Sequence, residues 1–424
     1  MDHKFQSMRG IHDYLPKDIY IWNYIEKTVK KILKNYCYSE IRIPIMEKTV
    51  LFKKTIGSVT DIFEKEMYSF VDLGGNKVSL RPEGTAGCVR ACIENGLLHN
   101  QVQKLWYLGP MFRYERPQKG RYRQFYQFGV ETFGLFGIEI DLELILITVR
   151  LWKKLNILNK LKLEINSIGS KTSRSLYESD LKNFLHKNKF FLDKKSILRM
   201  YRNPIRVLDS KDKNTQKILK DAPIFKNYLD NISIFRFKNL CSFLDELKIK
   251  YEINNNLVRG LDYYNDTVFE WKTDNNLGST KTICAGGRYD KLVENISGKF
   301  VPAMGFAIGM ERLILTYKSL SIIKKINSNS RLDINIIISE LDSEYLELVE
   351  NIRNDFSNLK IKINFLKINK KKEFKFLKDT TISIVLLILK KNKKSKKIIL
   401  KNFKNGEIKI IVYKDVKKIL KSIF

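Results

Sequence analysis

The sequence contains few of the residues that build disulfide frameworks and zinc sites. Its 424 residues include five cysteines and four histidines, and the cysteines are too scattered for a disulfide framework. Cys88 and Cys92 lie one helical turn apart, but no second cysteine pair or histidine pair accompanies them. We therefore expect buried thiols, and no metal ion held by protein side chains.

Long apolar runs are also missing from the chain. The longest strongly apolar run, Ile382–Leu389, is far shorter than the roughly 20 residues that span a bilayer. The polar N-terminus, Met1–Pro16, has no apolar stretch of the signal-peptide type. We therefore expect a cytoplasmic protein that does not contact the membrane.

Acidic residues are too few to balance the basic ones. The chain has 78 Lys and Arg against 46 Asp and Glu, a formal net charge of +32, and such a charge attracts polyanions. Because Lys, Asn and Ile are abundant throughout, part of this charge reflects a biased composition. Residues 360–424 alone hold 21 lysines and four acidic residues, a net charge of +17. This concentration favours an RNA-facing domain over a surface that is only solvated.

Hydrophobic spacing predicts a core in two parts. Residues 1–170 combine helical spacing at 17–36 with strand-like runs at 105–113 and 124–133, which indicates an antiparallel sheet. Ile41–Met46, with Pro44 inside it, is typical of an edge strand or of a strand near an interface. Strand patterns return within residues 251–325. The sequence thus predicts an α+β catalytic core with an antiparallel sheet.

Two further segments differ from this core in their pattern. Residues 171–250 are mostly helical and highly charged, which is typical of an insertion between two halves of a sheet. From Arg331 the pattern alternates between strand and helix. We therefore expect a C-terminal α/β domain with a mostly parallel sheet over residues 331–424.

A basic hairpin is the first candidate site. Arg113 precedes a loop rich in cations, and the planar fork of arginine bridges phosphate oxygens in pairs. Aromatic side chains interleaved with cations suit a purine base or an RNA end. An ordinary surface hairpin could carry the same charges, but the pattern favours phosphate binding. The cations of the loop are Arg116, Lys119, Arg121 and Arg123, and the aromatic residues are Tyr114, Tyr122, Phe125 and Tyr126.

A small-residue run, Gly305–Gly309, followed by Arg312, is the second candidate site. Small residues at 305, 307 and 309 allow the backbone of a ligand or a neighbouring strand to approach closely. The glycine spacing does not fit a dinucleotide-binding fingerprint. The run therefore indicates a functional site only when it is considered together with the Arg113 hairpin.

Together these stretches resemble the class II aminoacyl-tRNA synthetases. Arg113 with its loop resembles motif 2, Pro302–Arg312 resembles motif 3, and Glu40–Glu66 resembles motif 1, which implies a dimer interface. The other matching stretches are similar to the histidyl-tRNA synthetase family in particular: Arg81–Thr85, Leu257–Tyr264, Ala285–Asp290, and Arg9-Gly10 with Asp13 and Leu15-Pro16.

The resemblance implies a two-step reaction. Histidine and ATP give histidyl-adenylate and pyrophosphate, and the 3′ end of tRNA(His) then takes the histidyl group. Arg113 and Arg259 are implied as the catalytic residues at the α-phosphate, with Arg312 and Arg121 on the γ- and β-phosphates and Glu115 near the adenine. Chemistry on ATP also implies Mg²⁺, held largely by phosphate oxygens and water.

Recognition of histidine requires acceptors for an ammonium group and partners for both ring nitrogens. Glu83 and Thr85 supply acceptors together with Gln127, and Gly84 and Arg259 are also expected to bind histidine. Glu131 and Tyr264 are expected to bond the ring nitrogens, while Tyr263 and Tyr289 wall the ring. Because buried polar partners reject analogues by about 10⁴–10⁵-fold, we expect no editing domain.

The resemblance also implies how tRNA binds. The loop Gln118–Arg123 would approach the acceptor end, where Gln118 reads an extra 5′ guanosine and Arg123 lies beside it. The C-terminal domain would bind the anticodon. The chain departs from the family at Asn369–Glu373, which replaces a glycine-containing stretch, so we expect weak anticodon discrimination.

Two other interpretations stay open at this point. A histidine-sensing regulatory subunit related to synthetases would lack the C-terminal domain and tend to lose the phosphate-binding arginines, yet this chain keeps both. A non-catalytic RNA-binding protein would explain the net charge of +32. It would leave Glu83 and Glu131 without a purpose.

Overall fold

A computed structural model describes most of the chain as two compact units. The units are Met1–Ser321 and Ile322–Phe424. No helix within the described part of the chain is long and apolar enough to cross a membrane. The described residues are 5–57, 60–210, 212–273, 281–319, 332–339, 341–365, 382–388, 397–403 and 405–424.

The strands of the first unit form two sheets. An eight-stranded sheet has the order β1-β5-β6-β11-β10-β9-β7-β8, and a three-stranded sheet has the order β2-β4-β3. The strands are β1 (Ser39–Glu40), β2 (Met46–Lys48), β3 (Ser69–Val71), β4 (Lys77–Leu80), β5 (Gln103–Phe112), β6 (Gln124–Phe133), β7 (Leu161–Ser167), β8 (Glu252–Ile253), β9 (Asn265–Thr273), β10 (Thr282–Arg288) and β11 (Ala303–Gly309).

The large sheet confirms the predicted antiparallel core. All of its inner pairings are antiparallel, and only the edge strands β1 and β8 pair in parallel. The hairpin β5–β6 places the basic loop at one end of the sheet. Strand β11 joins β6 in a register that sets Gly305 opposite Glu131 and Gly309 opposite Gln127.

The predicted edge strand Ile41–Met46 is wrong in its bounds. Strand β1 ends at Glu40 and β2 begins only at Met46. The carbonyls between them are bound by Arg81 instead of by a ladder, since its Nη1 donates to the Ile43 carbonyl at 2.7 Å and its backbone N–H donates to the Ile45 carbonyl at 2.9 Å. A buried arginine side chain thus replaces a strand partner here.

The helices of the first unit cover this sheet and build the insertion. The first helix begins at Pro16, where a missing N–H costs nothing, and it buries the face that carries Ile21, Ile25 and Val29. The helices are α1 (Pro16–Asn35), α2 (Thr49–Ile56), α3 (Thr85–Glu94), α4 (Glu139–Lys154), α5 (Lys171–Lys187), α6 (Lys194–Arg202), α7 (Lys213–Ile218), α8 (Asn231–Glu246), α9 (Leu292–Ser297) and α10 (Met310–Lys318).

Helices α5 to α8 make residues 171–250 helical, as their charge-rich pattern predicts. Side chains of Ser170, Asp193, Asp212 and Asp230 accept backbone N–H groups at the starts of these four helices. Such caps supply partners for the N–H groups that the helix itself leaves unpaired.

The second unit contains a mixed five-stranded sheet. Its order is β13-β12-β14-β15-β16, and β12 pairs in parallel with both β13 and β14. The elements are β12 (Leu332–Ile338), α11 (Ser343–Asp355), β13 (Ile361–Phe365), β14 (Ile382–Ile388), β15 (Lys397–Asn402), β16 (Ile408–Val412) and α12 (Val416–Ile423).

The expected mostly parallel sheet therefore holds for only part of this unit. Strands β15 and β16 add antiparallel pairings, and the β15–β16 pairing follows from a short connection that contains Gly406, with a positive φ of 75°. A tight hairpin can only produce antiparallel neighbours. The segment Asn369–Glu373, on which the expectation of weak anticodon discrimination depends, lies outside the described residues.

Candidate active site

A cavity of about 490 Å³ lies against one face of the large sheet. Strands β6, β9, β10 and β11, the start of α10 and the loop before β9 supply its walls. Most of the predicted site residues meet there although they are far apart in the chain. Those that line the cavity are Glu83, Thr85, Arg113, Glu115, Arg121, Gln127, Glu131, Arg259, Tyr263, Tyr264 and Arg312.

Glu131 is the centre of a hydroxyl network at the inner end of the cavity. Its Oε1 accepts hydrogen bonds from the Thr85 hydroxyl at 2.7 Å and from the Tyr107 hydroxyl at 3.0 Å. The Tyr289 hydroxyl donates to its Oε2. Gly305 makes room for this carboxyl group, because a Cβ at that position would collide with Oε2. The network fixes the carboxyl group in one orientation.

Burial changes the charge of this group. Removal from water raises the pKa of Glu131 to about 8, and the hydrogen bonds from Tyr289 and Thr85 offset only part of that rise. The carboxyl group is therefore protonated near neutral pH. In that form it carries a proton that it can donate to a ligand.

Glu83 is buried beside this network and caps helix α3. Its two carboxylate oxygens accept the backbone N–H groups of Thr85 at 2.7 Å and Ala86 at 2.8 Å. The Tyr263 hydroxyl lies 3.5 Å from Oε2. Burial raises the pKa of Glu83, while the two N–H groups act in the opposite direction.

An unused acceptor also faces this end of the cavity. The Oε1 atom of Gln127 is buried and has no hydrogen-bond partner within the described residues. The rings of Tyr263 and Tyr264, which line the same cavity, pack 4.7 Å apart, centroid to centroid. A buried acceptor without a partner is costly, so this geometry favours a ligand that brings a donor.

The other end of the cavity is rich in arginine. Arg259 forms an ion pair with Glu270 and lies 5.5 Å from the centroid of the Tyr264 ring. Although burial disfavours its charged form, Glu270 raises the pKa of Arg259 above its ordinary value. The second oxygen of Glu270 accepts the Thr282 hydroxyl at 2.9 Å. Arg259 is therefore held as a cation at a fixed position.

Arg113 and Arg121 converge on Glu115. The Nη1 atom of Arg113 lies 3.9 Å from a Glu115 oxygen, and Arg121 forms a close ion pair with the other oxygen. The Nε atom of Arg113 donates to the Pro82 carbonyl at 2.8 Å. The guanidinium of Arg113 also lies 5.2 Å from the centroid of the Phe125 ring. These contacts fix the position of the Arg113 guanidinium where strand β5 enters the basic loop.

Arg312 connects that hairpin to the start of α10. Its Nε donates to the Gly120 carbonyl at 2.9 Å, and its Nη1 donates to the Thr282 carbonyl at 3.0 Å. Burial lowers the pKa of Arg312, and the nearby Arg121 and Arg113 lower it further. Three arginines this close together disfavour one another's charges, and an anion would relieve that repulsion.

The remaining predicted residues lie outside the cavity lining. Tyr289 donates to the Glu131 carboxyl group and is not part of the cavity lining, and its expected contact with a ligand ring stays a prediction. Gly84 makes room for Tyr107, whose ring a Cβ would meet. Gln118 exchanges two backbone hydrogen bonds with Arg121, at 2.9 and 3.0 Å. Arg123 stacks on Tyr114, with its guanidinium carbon 3.7 Å from the ring centroid.

Several residues of the site carry no signal in the sequence that identifies them, or only a weak one. Tyr107, Glu270 and Thr282 lie on strands β5, β9 and β10, and only the order of the strands brings them to the cavity. Glu311 is buried and accepts the Tyr14 hydroxyl at 2.5 Å and the Tyr126 N–H at 2.8 Å. Since Glu311 falls inside the motif 3-like stretch, its acidic side chain beside Arg312 was the available signal.

Known proteins share this fold and sequence over nearly the full chain. A histidine–tRNA ligase of Buchnera aphidicola (subspecies Schizaphis graminum) is 54% identical over 96% of this chain and 95% of its own. One from Blochmanniella pennsylvanica is 50% identical over 100% of this chain and 97% of its own. An apo histidyl-tRNA synthetase structure from S. aureus matches with a TM-score of 0.78 and 32% identity, covering 98% of this chain and 100% of that one. Because the family model described as histidyl-tRNA synthetase also matches residues 10–313, this chain belongs to that family.

Proposed function

We propose that this chain ligates L-histidine to tRNA(His), using ATP through a histidyl-adenylate intermediate. The observation that carries the proposal is the polarity of the 490 Å³ cavity. Two buried acceptors, Glu83 and Gln127, and three arginines, Arg113, Arg259 and Arg312, line this one cavity. Such a cavity suits an amino acid that the acceptors hold and a triphosphate that the arginines hold. The family to which the chain belongs and the similarity over the whole chain support the same activity.

The first step joins two anions. A carboxylate oxygen of histidine attacks the α-phosphorus of ATP, a new O–P bond forms, and the bond from that phosphorus to pyrophosphate breaks. Charge increases on the phosphoryl oxygens and on the leaving group, so positioning and positive charge matter more than a general base. Arg113 and Arg259 stabilise the α-phosphoryl oxygens in this proposal.

Histidine is recognised by the buried end of the cavity. Glu83, Thr85 and Gln127 accept from the α-ammonium group. Glu131, protonated near neutral pH, donates to an unprotonated ring nitrogen, and Tyr264 meets the other. Tyr263 walls the ring, while Gly84 and Tyr289 act through Tyr107 and Glu131. Analogues without the imidazole leave these polar groups unpaired and are rejected.

ATP is bound by the arginine-rich end. Arg312 and Arg121 hold the γ- and β-phosphates, and Glu115 lies near the adenine. No cluster of three or more His, Cys, Asp or Glu side chains that could bind a metal occurs among the described residues. Glu115 and Glu270 are already paired with arginine. The Mg²⁺ ion in this proposal is therefore held mainly by phosphate oxygens and water, and it supplies charge neutralisation when bound.

The second step uses the outer loop. The terminal adenosine of the tRNA attacks the carbonyl carbon of the adenylate, an ester bond forms, and AMP leaves. The turn that begins at Gln118 and the stacked Arg123 approach the acceptor end. In this division of the chain, residues 1–170 and 251–325 form the catalytic core, 171–250 the insertion, and 331–424 the anticodon-binding domain.

We also propose that the protein is a cytoplasmic homodimer. The motif 1-like stretch Glu40–Glu66 and the segment that follows it as far as Leu73 expose a set of large apolar side chains close together in the chain, which is typical of an interaction surface. Sedimentation should therefore give twice the mass of 49.9 kDa. The exposed residues are Ile45, Met46, Val50, Phe70, Val71 and Leu73.

Pyrophosphate exchange tests the proposed activity. Purified protein with ATP, Mg²⁺ and each amino acid in turn, without tRNA, should exchange pyrophosphate with histidine alone. Exchange with no amino acid, from folded protein that still binds histidine, would instead support the regulatory-subunit alternative. Folded protein that binds only RNA would support the RNA-binding alternative.

A further inference from the structure

The loop that carries the histidine-site residues has little structure of its own. Residues 254–264 run between β8 and β9 without forming a strand or a helix, yet they hold Arg259, Tyr263 and Tyr264. Side chains from elsewhere bind their backbone. Asn166 of β7, for example, donates from its Nδ2 to the carbonyls of Asn255 and Leu257 at 3.3 and 3.2 Å. The position of the loop is therefore set by its surroundings.

The helical insertion supplies the contacts at the C-terminal end of this loop. Arg174, on α5, donates from Nη1 to the Asp262 carbonyl at 3.2 Å and from Nη2 to the Tyr264 carbonyl at 2.6 Å. Arg206 donates to the Asp262 carboxylate at 3.2 Å, and Asn203 lies 3.4 Å from the same oxygen. Three side chains from residues 171–250 thus hold the segment that follows Arg259.

Arg174 has the strongest hold of the three. Its fork spans two carbonyls that flank Tyr263, so it fixes the backbone on both sides of that residue. Arg174 is half-buried, and this burial lowers the pKa of its guanidinium. Carbonyls that lose such a donor inside the protein are left unsatisfied or must move to find water.

A second cavity lies between the insertion and the loop. It has a volume of about 210 Å³, and Arg174, Arg206, Phe225, Val258, Arg259 and Asp262 line it. Although Leu257, Val258 and Leu261 pack into the core, the loop is therefore not close-packed against the insertion beside this cavity. The hydrogen bonds of Arg174 connect the insertion to the loop here.

We propose that Arg174 is a positioning residue for the amino-acid site, and that the helical insertion sets the affinity for histidine through it. Arg174 does not line the main cavity. It acts through the backbone of Asp262–Tyr264, which in turn places Tyr263 and Tyr264. This inference rests on the proposed function, because it assigns histidine to that end of the cavity.

Steady-state pyrophosphate exchange with the full-length protein tests this role. Arg174→Met keeps most of the side-chain volume and removes both donors, so the KM for histidine should rise by about tenfold or more, while the KM for ATP stays near the wild-type value. Arg174→Lys retains a cation and one donor direction and should recover part of the loss. A purely structural role would lower the folded fraction without separating the two KM values.

Arg202→Met is the matched control. Arg202 also lies in the insertion and pairs with the core, with its Nη1 3.1 Å from Glu64, but it does not touch the loop. It should leave both KM values unchanged. If Arg174→Met does not fold, Arg206→Met tests the same hold through Asp262 and should raise the KM for histidine by a smaller factor.

The outcomes separate this inference from the proposed function. If the wild type is active and folded Arg174→Met has a wild-type KM for histidine, the positioning role alone is overturned. If Arg174→Met does not fold, a wild-type KM for histidine in folded Arg206→Met has the same meaning. Equal increases in the KM for histidine and for ATP would also overturn it. A wild type without histidine-dependent exchange would overturn the proposed function itself.

Discussion

At the scale of single residues, Arg259 shows how a cation is kept ready in a half-buried site. Glu270 neutralises it and Thr282 holds Glu270 in turn, so the charge is stabilised without being exposed. An incoming triphosphate can then exchange places with the glutamate or share the guanidinium with it. The pair keeps the cost of burying an isolated charge low before substrates bind.

Replacing Arg259 with glutamine should remove this charge from the reacting phosphate. We expect histidine-dependent pyrophosphate exchange to fall by about 100-fold or more, the effect typical of removing one donor to a developing anion. Arg259→Lys, which keeps the charge without the fork, should fall less. Exchange within a few-fold of wild type in Arg259→Gln, with unchanged thermal unfolding, would show that this arginine is not at the reacting centre.

Glu131 makes the stability of the protein depend on pH. Its pKa is raised from 4.5 to about 8 in the folded state, so between these values the folded protein binds more protons than the unfolded chain. The stabilisation is complete below the unfolded pKa and is lost as the pH rises towards 8. Glu131→Gln does not titrate, so its free energy of unfolding should fall less between about pH 5 and pH 8.

Urea unfolding of wild type and Glu131→Gln over that pH range measures the difference. Other groups titrate equally in both proteins, so subtracting one profile from the other isolates this carboxyl group. Parallel profiles would mean that Glu131 is ionised in the folded protein at neutral pH. In that case it could not donate to the imidazole as proposed.

At the scale of elements, helix α3 joins the substrate site to the fold. Glu83 caps this helix and also lines the cavity, so under the proposed function one side chain has a structural task and a binding task. Glu83→Ala should therefore reduce the free energy of unfolding by about 1 kcal/mol or more and raise the KM for histidine as well. Urea unfolding and exchange kinetics measure the two effects.

A second cap provides the comparison for Glu83. Asp212 accepts the backbone N–H of Thr215 at 2.9 Å at the start of α7, within the insertion. Asp212→Ala should lose stability but keep the wild-type KM for histidine. If both variants change only the free energy of unfolding, the proposal that Glu83 binds histidine is wrong.

The elements also show what a sequence can and cannot predict. Helix α1 and hairpin β5–β6 follow from spacing along the chain, because each is a local pattern. Tyr107 and Glu270 could not be assigned to the site from the sequence. Strand β11 lies between β6 and β10 in the sheet, and no local sequence pattern predicts which strands pair with one another. The predicted bounds of the strand Ile41–Met46 were wrong for a related reason. The Ile43 carbonyl is bound by the side chain of Arg81, which is distant in the sequence.

At the scale of the whole molecule, the distribution of positive charge predicts that the two steps of the reaction depend differently on salt. The net charge of +32 lies on a chain whose cavity arginines are half-buried, whereas the lysines of residues 360–424 add +17 along a single segment. Salt weakens attraction between exposed charges and a polyanion strongly, but it affects partly buried pairs much less. Adenylate formation and tRNA charging should therefore respond differently to ionic strength.

Raising the salt concentration should lower kcat/KM for tRNA much more than the rate of pyrophosphate exchange. Each phosphate contact releases condensed counterions, so an increase from about 50 to 200 mM KCl should reduce kcat/KM for tRNA by about tenfold or more. Exchange with histidine and ATP should change by about twofold at most, because Arg113 and Arg259 are shielded within the cavity. Equal losses in both assays would place the effect in the catalytic core. A salt-insensitive charging step would mean that the excess lysines reflect composition and do not bind RNA.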